Sequence, residues 1–569
     1  MNLLFASLQR NTIYTFLFVQ LMCFSINPSS FAQPDKLLGE WKGEFMPGNN
    51  LIMVLRFEQE GNASIQERVL LFQGQTQIQD DKLKDIKNIE NAISFIIEAK
   101  QTPFKGIIKN DTILEGEFTF PDGSLQPVLL KYLGVTPQAD VQQIKLDPLS
   151  AKFSVSQLNS DLDFLINQLI SQHPALFKYT REDTFKVAYE TVSSKIEAGM
   201  SEDEFFRLIA PIVELANCAH TGIRLSKSFN TAIQQKQVLL PFEIKIINNK
   251  AFVIHNFSNN EDIKPGAEII NINNISIPEI INRLLSAIPS DGGNLSGKLF
   301  SINESFSLNY LNYLGIDSVF MVEYRYNSGE IKSAELTGIT PADFEKSIIE
   351  ANPPLPFQGK MPVSIDIETD KKLAILRVSG FWAPDFNAYN TFLENTFKQL
   401  EIDSVQTLIV DVRGNKGGHP YFAAELISYL ARESFVYFSL PEEQGEFAPL
   451  FKPLKPKSLS FDGDIFVVMD GGCLSSTGHF LSLIKYHKMG WLVGEPSGST
   501  FTCNDGSLQF SLPETGIEMN VPQITFETAI QGLEAGKSIQ PDYPVTYHLE
   551  DYLRDNDPAI NFIRGRFIK

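Results

Sequence analysis

Four cysteines in 569 residues are too few to hold a chain of this size together by disulfides. Metal-binding spacings are lacking as well: there is no HExxH and no cluster of closely spaced Cys and His ligands. Neither a Walker nor a dinucleotide-binding glycine pattern occurs, which removes nucleotide chemistry. Positive charge is in deficit, with 48 Lys and Arg against 68 Asp and Glu and a formal net charge of −20. Such a surface repels nucleic acid and anionic lipid. After residue 32 no run is long and apolar enough to span a bilayer. The expectation is a chain without metal or cofactor, without nucleic-acid partners and without stable membrane insertion.

What is present begins with an export signal. Arg10 precedes the apolar run "IYTFLFVQLMCFSI", and small residues follow at Ser30 and Ala32. This is the order of a secretory signal peptide over residues 1–32, cleaved near Ala32, and it implies a periplasmic or extracellular protein. A membrane anchor needs about twenty apolar residues, and this run is shorter and broken by Gln20.

The remaining length suggests several domains. Residues 33–140 hold short aromatic and β-branched runs, such as "GEWKGEF" and "TILEGEFTF", separated by Gly, Asn and Asp. This is the pattern of a small antiparallel β domain. Over 145–235 the period becomes helical: Leu158, Leu162, Leu165 and Leu169 share a face, and Ser201 with Glu204 forms a capping box. Strands return over 236–340, with tight turns at Pro265-Gly266 and Asn273-Asn274. A Pro-rich break over 341–365 reads as a linker. Residues 366–569 alternate strand and helix, including a helix with Phe386, Tyr389, Phe392, Leu393, Phe397 and Leu400 on one face. That alternation predicts a mostly parallel sheet covered by helices, with ligands at the strand C-terminal ends.

Two segments stand at such ends. "LIVDVRGNKGGHP" closes a buried strand with Asp411, Arg413 and a glycine-rich loop. It reads either as a tight turn with an Asp411–Arg413 ion pair or as a loop whose N–H groups approach a ligand unhindered by Cβ atoms. "VVMDGGCLSSTGHF" is a strand that bends at two glycines and restarts as a helix at Ser475, Ser476 and Thr477. Those hydroxyls serve either as helix caps or, at the positive start of a helix, as a nucleophile beside free N–H groups. No G-x-S-x-G elbow surrounds any serine, which disfavours an α/β-hydrolase esterase. Cys473 precedes the bend and makes a poor nucleophile.

The order of "CAHTGIRL", "IKPGAEIININNISI", "DVRGNKGG", "VVMDGGCLSSTGHF", "GWLVGEPSGST" and "GKSIQPDYPV" resembles the C-terminal processing (tail-specific) and tricorn-core family of serine peptidases, over about residues 150–569. The resemblance implies a multidomain α/β chain: the N-terminal antiparallel β domain, the helical segment carrying the His motif, a PDZ-like domain over 236–340, and an α/β peptidase core. It makes Ser475 the nucleophile and His220 the base, ahead of His479 and His419. Glu534 is the implied orienting acid. The N–H groups of Ser476 and of Gly417 or Gly418 make the oxyanion hole. Leu240 and Phe242 fall in the loop where a PDZ-like module would take a substrate C-terminus, although Pro241 has no N–H to donate. The chain departs from the family pattern at Cys218, Ala219, Gly478 and Thr500, the last in place of the lysine of the Ser/Lys branch. With Cys218, Cys473 and Cys503 near the implied site, an exported chain could link Cys218 to Cys473 or Cys503. The expected function is an exported serine endopeptidase acting on unfolded or C-terminally recognised protein substrates; the alternative is a catalytically degenerate relative that binds peptides or other ligands.

Overall fold

The computed structural model describes residues 39–44, 51–60, 64–73, 76–89, 91–98, 101–109, 112–120, 124–134 and 147–568, the last span without 328, 354–360 and 442–444. The expected signal peptide lies outside the described residues. The chain divides into two compact units, Met1–Val141 and Gln142–Lys569.

The first unit is an antiparallel barrel of eight strands in chain order, from Gly39–Glu44 to Leu125–Gly134, closed by pairing of the first strand with the last. Closure removes the unpaired edges that an open sheet would expose. Side chains alternate in burial along the strands, as in Ala92–Ile97, and the inward set includes Trp41, Phe57, Phe95, Phe104 and Phe118. The stacked Phe95 and Phe104 rings, 4.6 Å apart, fill the interior.

In the second unit, helices Val155–Gln172, Glu182–Ser194 and Glu202–Glu214 come first. Leu158, Leu162, Leu165 and Leu169 are all fully buried, as their spacing requires. Glu204 accepts hydrogen bonds from the Ser201 N–H at 2.7 Å and from its hydroxyl at 2.9 Å, fastening the third helix's start. Next comes an antiparallel sheet ordered Phe242–Ile247, Lys250–Asn256, Glu268–Ile272, Val319–Arg325 and Lys332–Thr337. Asn273 and Asn274 both take positive φ, +49° and +62°, in the turn that returns the chain to the short strand Ile275–Ser276. Pro341–Ala351, inside the stretch read as a linker, is a helix capped by the Thr340 hydroxyl.

The last sheet runs Val363–Glu368, Leu373–Val378, Thr407–Asp411, Asp464–Met469, Trp491–Gly494 and Tyr543–Pro544. Its first pair is antiparallel and the four following pairs are parallel. Helices Phe386–Ile402, Pro420–Leu430 and Ser476–Tyr486 bury one face and Pro558–Phe567 the other. Of the six residues expected on the inner face of Phe386–Ile402, five are buried and Phe386 is exposed. No helix among the described residues is long and apolar enough to cross a membrane.

Candidate active site

Strands Thr407–Asp411 and Asp464–Met469 are parallel neighbours, so the loops after them emerge side by side. The Asp470 carboxylate stitches them together, accepting from the Gly414 and Gly472 N–H groups at 2.9 Å each. Asn415, fully buried, sends its amide to the Val378 carbonyl at 2.9 Å and receives the Gly417 N–H at 2.9 Å. The Asp411–Arg413 ion pair forms as a bidentate contact, and the guanidinium also reaches Tyr547 and Asp557, each at 2.7 Å. That pair is scaffolding beneath the loop.

Ser475 stands at the mouth of these loops, with φ +52° and ψ −127°. A side-chain-bearing residue held there is strained by about 1–3 kcal/mol, a cost found at functional turns. It occupies the N-cap position of helix Ser476–Tyr486, yet its side chain makes no capping hydrogen bond. The Ser476 hydroxyl is used elsewhere, donating to the Gly418 carbonyl at 2.8 Å. Among the described residues, the N–H groups of Ser476 and Gly418 have no acceptor. The Gly417 N–H does, so of the two glycines expected to hold an oxyanion only Gly418 has a donor to spare. Gly417 contributes space: at φ +96°, its Cβ would stand 2.7 Å from the Ser475 Cβ.

His220 precedes strand Gly222–Arg224, which pairs with Glu518–Val521 and so draws the histidine segment against the core. Its Nε2 lies 3.7 Å from Asp505 Oδ2, and its Nδ1 is buried without a partner. Burial pulls its pKa down, but Cys218, Asp291 and Asp505 outweigh this and push it up to about 9. Burial pushes the Cys218 thiol up, and His173 and His220 overcome it, drawing the thiol down to about 6. At neutral pH the pair therefore leans towards thiolate and imidazolium. Asp291, buried, accepts from the Ala219 N–H at 2.9 Å and the Ser499 hydroxyl at 3.0 Å. Its own pKa is raised, chiefly by burial.

Several expectations need correction. Glu534 is exposed, and no hydrogen bond or ion pair among the described residues joins it to His220; the carboxylates there are Asp505 and Asp291. Leu240, just before the strand Phe242–Ile247, and Phe242, its first residue, are both buried in the core of the antiparallel sheet. The Phe242 N–H is already donated to the Leu240 carbonyl at 2.8 Å. Cys218, Cys473 and Cys503 are free and buried, and no disulfide links them. Asp291 bridges Ala219 and Ser499 instead, alongside the pairing of Gly222–Arg224 with Glu518–Val521. Cys473 donates to the Val412 carbonyl at 3.1 Å, and burial holds its thiol protonated.

The two rival histidines have other work. His419 is the N-cap of helix Pro420–Leu430 and stacks on Tyr421. His479 is enclosed by Tyr437 and Phe438, and burial pulls its pKa down to about 3. Its Nε2 meets the Cys503 sulfur at 3.4 Å, and the same thiol neighbours Ser475. No hydrogen bond joins Ser475 to His220. Gly478, a departure from the family pattern, has no room for a larger residue: its Cβ would lie 2.5 Å from the Thr500 carbonyl oxygen. Asp291 and Asp505 escaped the sequence reading because neither sits in a motif; only packing brings them to His220.

Residues 372–545 match the profile of peptidase family S41. That segment is similar to the S41 serine-peptidase family. The chain's fold is similar to that of mature CPAF, at TM-score 0.52 and 12% identity over 72% of this chain and 96% of that one. Looser likenesses are the photosystem II D1 C-terminal processing protease, at 0.36 and 15% identity over 71% and 98% of the two chains, and the tricorn protease, at 0.34 and 12% over 92% and 46%. No curated protein matches the sequence. Within the matched residues 372–545 lie Ser475, Gly418, Ser476 and Asp505, whereas His220 and Asp291 come from the chain before them.

Proposed function

We propose that this chain is an exported endopeptidase that cleaves unfolded or C-terminally presented protein chains. Ser475 attacks the scissile carbonyl and His220 takes its proton and returns it to the leaving amine. The N–H groups of Ser476 and Gly418 receive the oxyanion. Asp505, opposite His220 Nε2, is the orienting acid in place of Glu534. The observation that carries the reading is the strained Ser475, held at a helix start with a hydroxyl that does not cap it. The antiparallel sheet over 236–340 acts as a PDZ-like brace for the site, and its inward Leu240 and Phe242 leave substrate capture to other surfaces. The leader of residues 1–32 directs export.

A second reading, a degenerate relative that binds peptides without cleaving them, is favoured by one feature: Ser475 neighbours Cys503 and is not hydrogen-bonded to His220. Hydrolysis of a fluorescently labelled unfolded protein decides between them. Under the peptidase reading, Ser475→Ala and His220→Ala each lower kcat/KM by about 10³-fold or more. Absence of cleavage by the folded wild type over the range of neutral to alkaline pH would install the binding reading.

A further inference from the structure

Around His220 lies a group of side chains that the hydrolytic mechanism does not use in full. Cys218, His220 and Asp291 each offer a ligand atom, and the three atoms lie within 4.8 Å of one another. Cys218 is fully buried and Asp291 nearly so, with 4% of its surface exposed. His220 Nδ1 is buried with no hydrogen-bond partner, and so is Nε2 of His173, a residue only 7% exposed. His173 Nδ1 accepts from the Ala175 N–H at 3.0 Å, which leaves the proton on Nε2, and His173 is among the neighbours that draw the Cys218 thiol down. An N–H donor beside a thiolate is what supports a metal-binding sulfur from outside the ligand set.

A thiolate, an imidazole and a carboxylate converging in a buried place suit a borderline-soft cation such as Zn²⁺, and disfavour Mg²⁺ or Ca²⁺, which take oxygen ligands. Tetrahedral bond lengths of about 2.0–2.3 Å set ligand atoms roughly 3.3–3.7 Å apart, so donors within 4.8 Å of one another need draw in by at most about 1.5 Å. Asp291 retains lone pairs beyond those used by Ala219 and Ser499. We propose that Cys218, His220 and Asp291 bind one Zn²⁺-class divalent cation, with His173 supporting the sulfur, and that occupancy switches the peptidase off. The second part rests on the reading of His220 as the base: a lone pair given to a metal cannot receive the Ser475 proton. Cys218 and His220 stand two residues apart, but Asp291 and the supporting His173 come from separate stretches of chain, and only the fold brings them together.

The test uses the full mature chain, stripped with a chelator. Equilibrium dialysis is expected to find one Zn²⁺ per chain, and Co²⁺ in its place is expected to produce a near-ultraviolet thiolate charge-transfer band. Cys218→Ser abolishes the band, and His173→Gln weakens Zn²⁺ binding by about 10–100-fold. One equivalent of Zn²⁺ lowers the wild-type cleavage rate at least tenfold, reversibly on adding chelator. A Co²⁺-treated wild type without the band overturns the site, whether or not the variants fold. Stoichiometric Zn²⁺ with the band but undiminished cleavage upholds the site and overturns the switch, and with it His220 as the base.

Discussion

Ser475 and its glycine loop grow from two neighbouring parallel strands, whereas His220 lies in an irregular connection and takes its neighbours from distant stretches of chain. The serine side is a local construction. Asp470, Asn415 and the glycines close hydrogen bonds between adjacent loops, and the strain at Ser475 is carried by a buried strand behind it and a buried helix ahead. The histidine side is held by charge. Cys218, Asp291 and Asp505 surround one imidazole in a place where burial alone would favour its neutral form. Rigid backbone positions the nucleophile; electrostatics sets the proton state of its partner. The two halves are therefore vulnerable to different perturbations.

The serine side should fail on steric change. Gly417→Val, adding atoms where a Cβ already falls 2.7 Å from Ser475 Cβ, is expected to lower kcat/KM by about 10²–10³-fold, with the urea midpoint reporting whether the fold survives. Near-normal activity would mean that the glycine loop does not bound the reacting centre.

The histidine side should respond to electrostatic change. Asp505→Asn is expected to reduce kcat/KM by about 10²-fold, while the exposed Glu534→Gln leaves it within roughly twofold. Reversal of that order would restore Glu534 as the orienting acid. In chelator-treated protein the pH profile offers a gentler probe. A base must be neutral, and a pKa raised to about 9 keeps His220 protonated at pH 7, so kcat/KM rises about tenfold per pH unit towards pH 9 and then levels. A profile already flat at pH 7 would show that the cationic His220 is not the resting form.

The smallest effect separates packing from chemistry. Gly478→Ala presses a methyl group onto the Thr500 carbonyl oxygen and is expected to cost about 1–3 kcal/mol of stability by denaturant titration. A variant as stable as wild type would mean that the helix and the 499–500 segment part easily, and that steric fit does not account for glycine at this position.

Read along the chain, local patterns carried far. The leucine stripe of the first helix, the Ser201–Glu204 cap, the strand-helix alternation of the core and the two strand-end loops all follow from short-range periodicity and turn chemistry; a strand, two glycines and a row of hydroxyls pointed to Ser475, Ser476 and Thr477, and the family resemblance chose Ser475 among them. What that row could not reveal is whether the hydroxyl caps the helix, since the answer depends on a backbone twist imposed by flanking elements. The carboxylates beside His220, the inward turn of Leu240 and Phe242, the engaged Gly417 N–H and the free thiols were decided in three dimensions. Each depends on contacts between residues far apart in the chain, and burial, unlike periodicity, leaves no mark on the spacing of the residues it brings together.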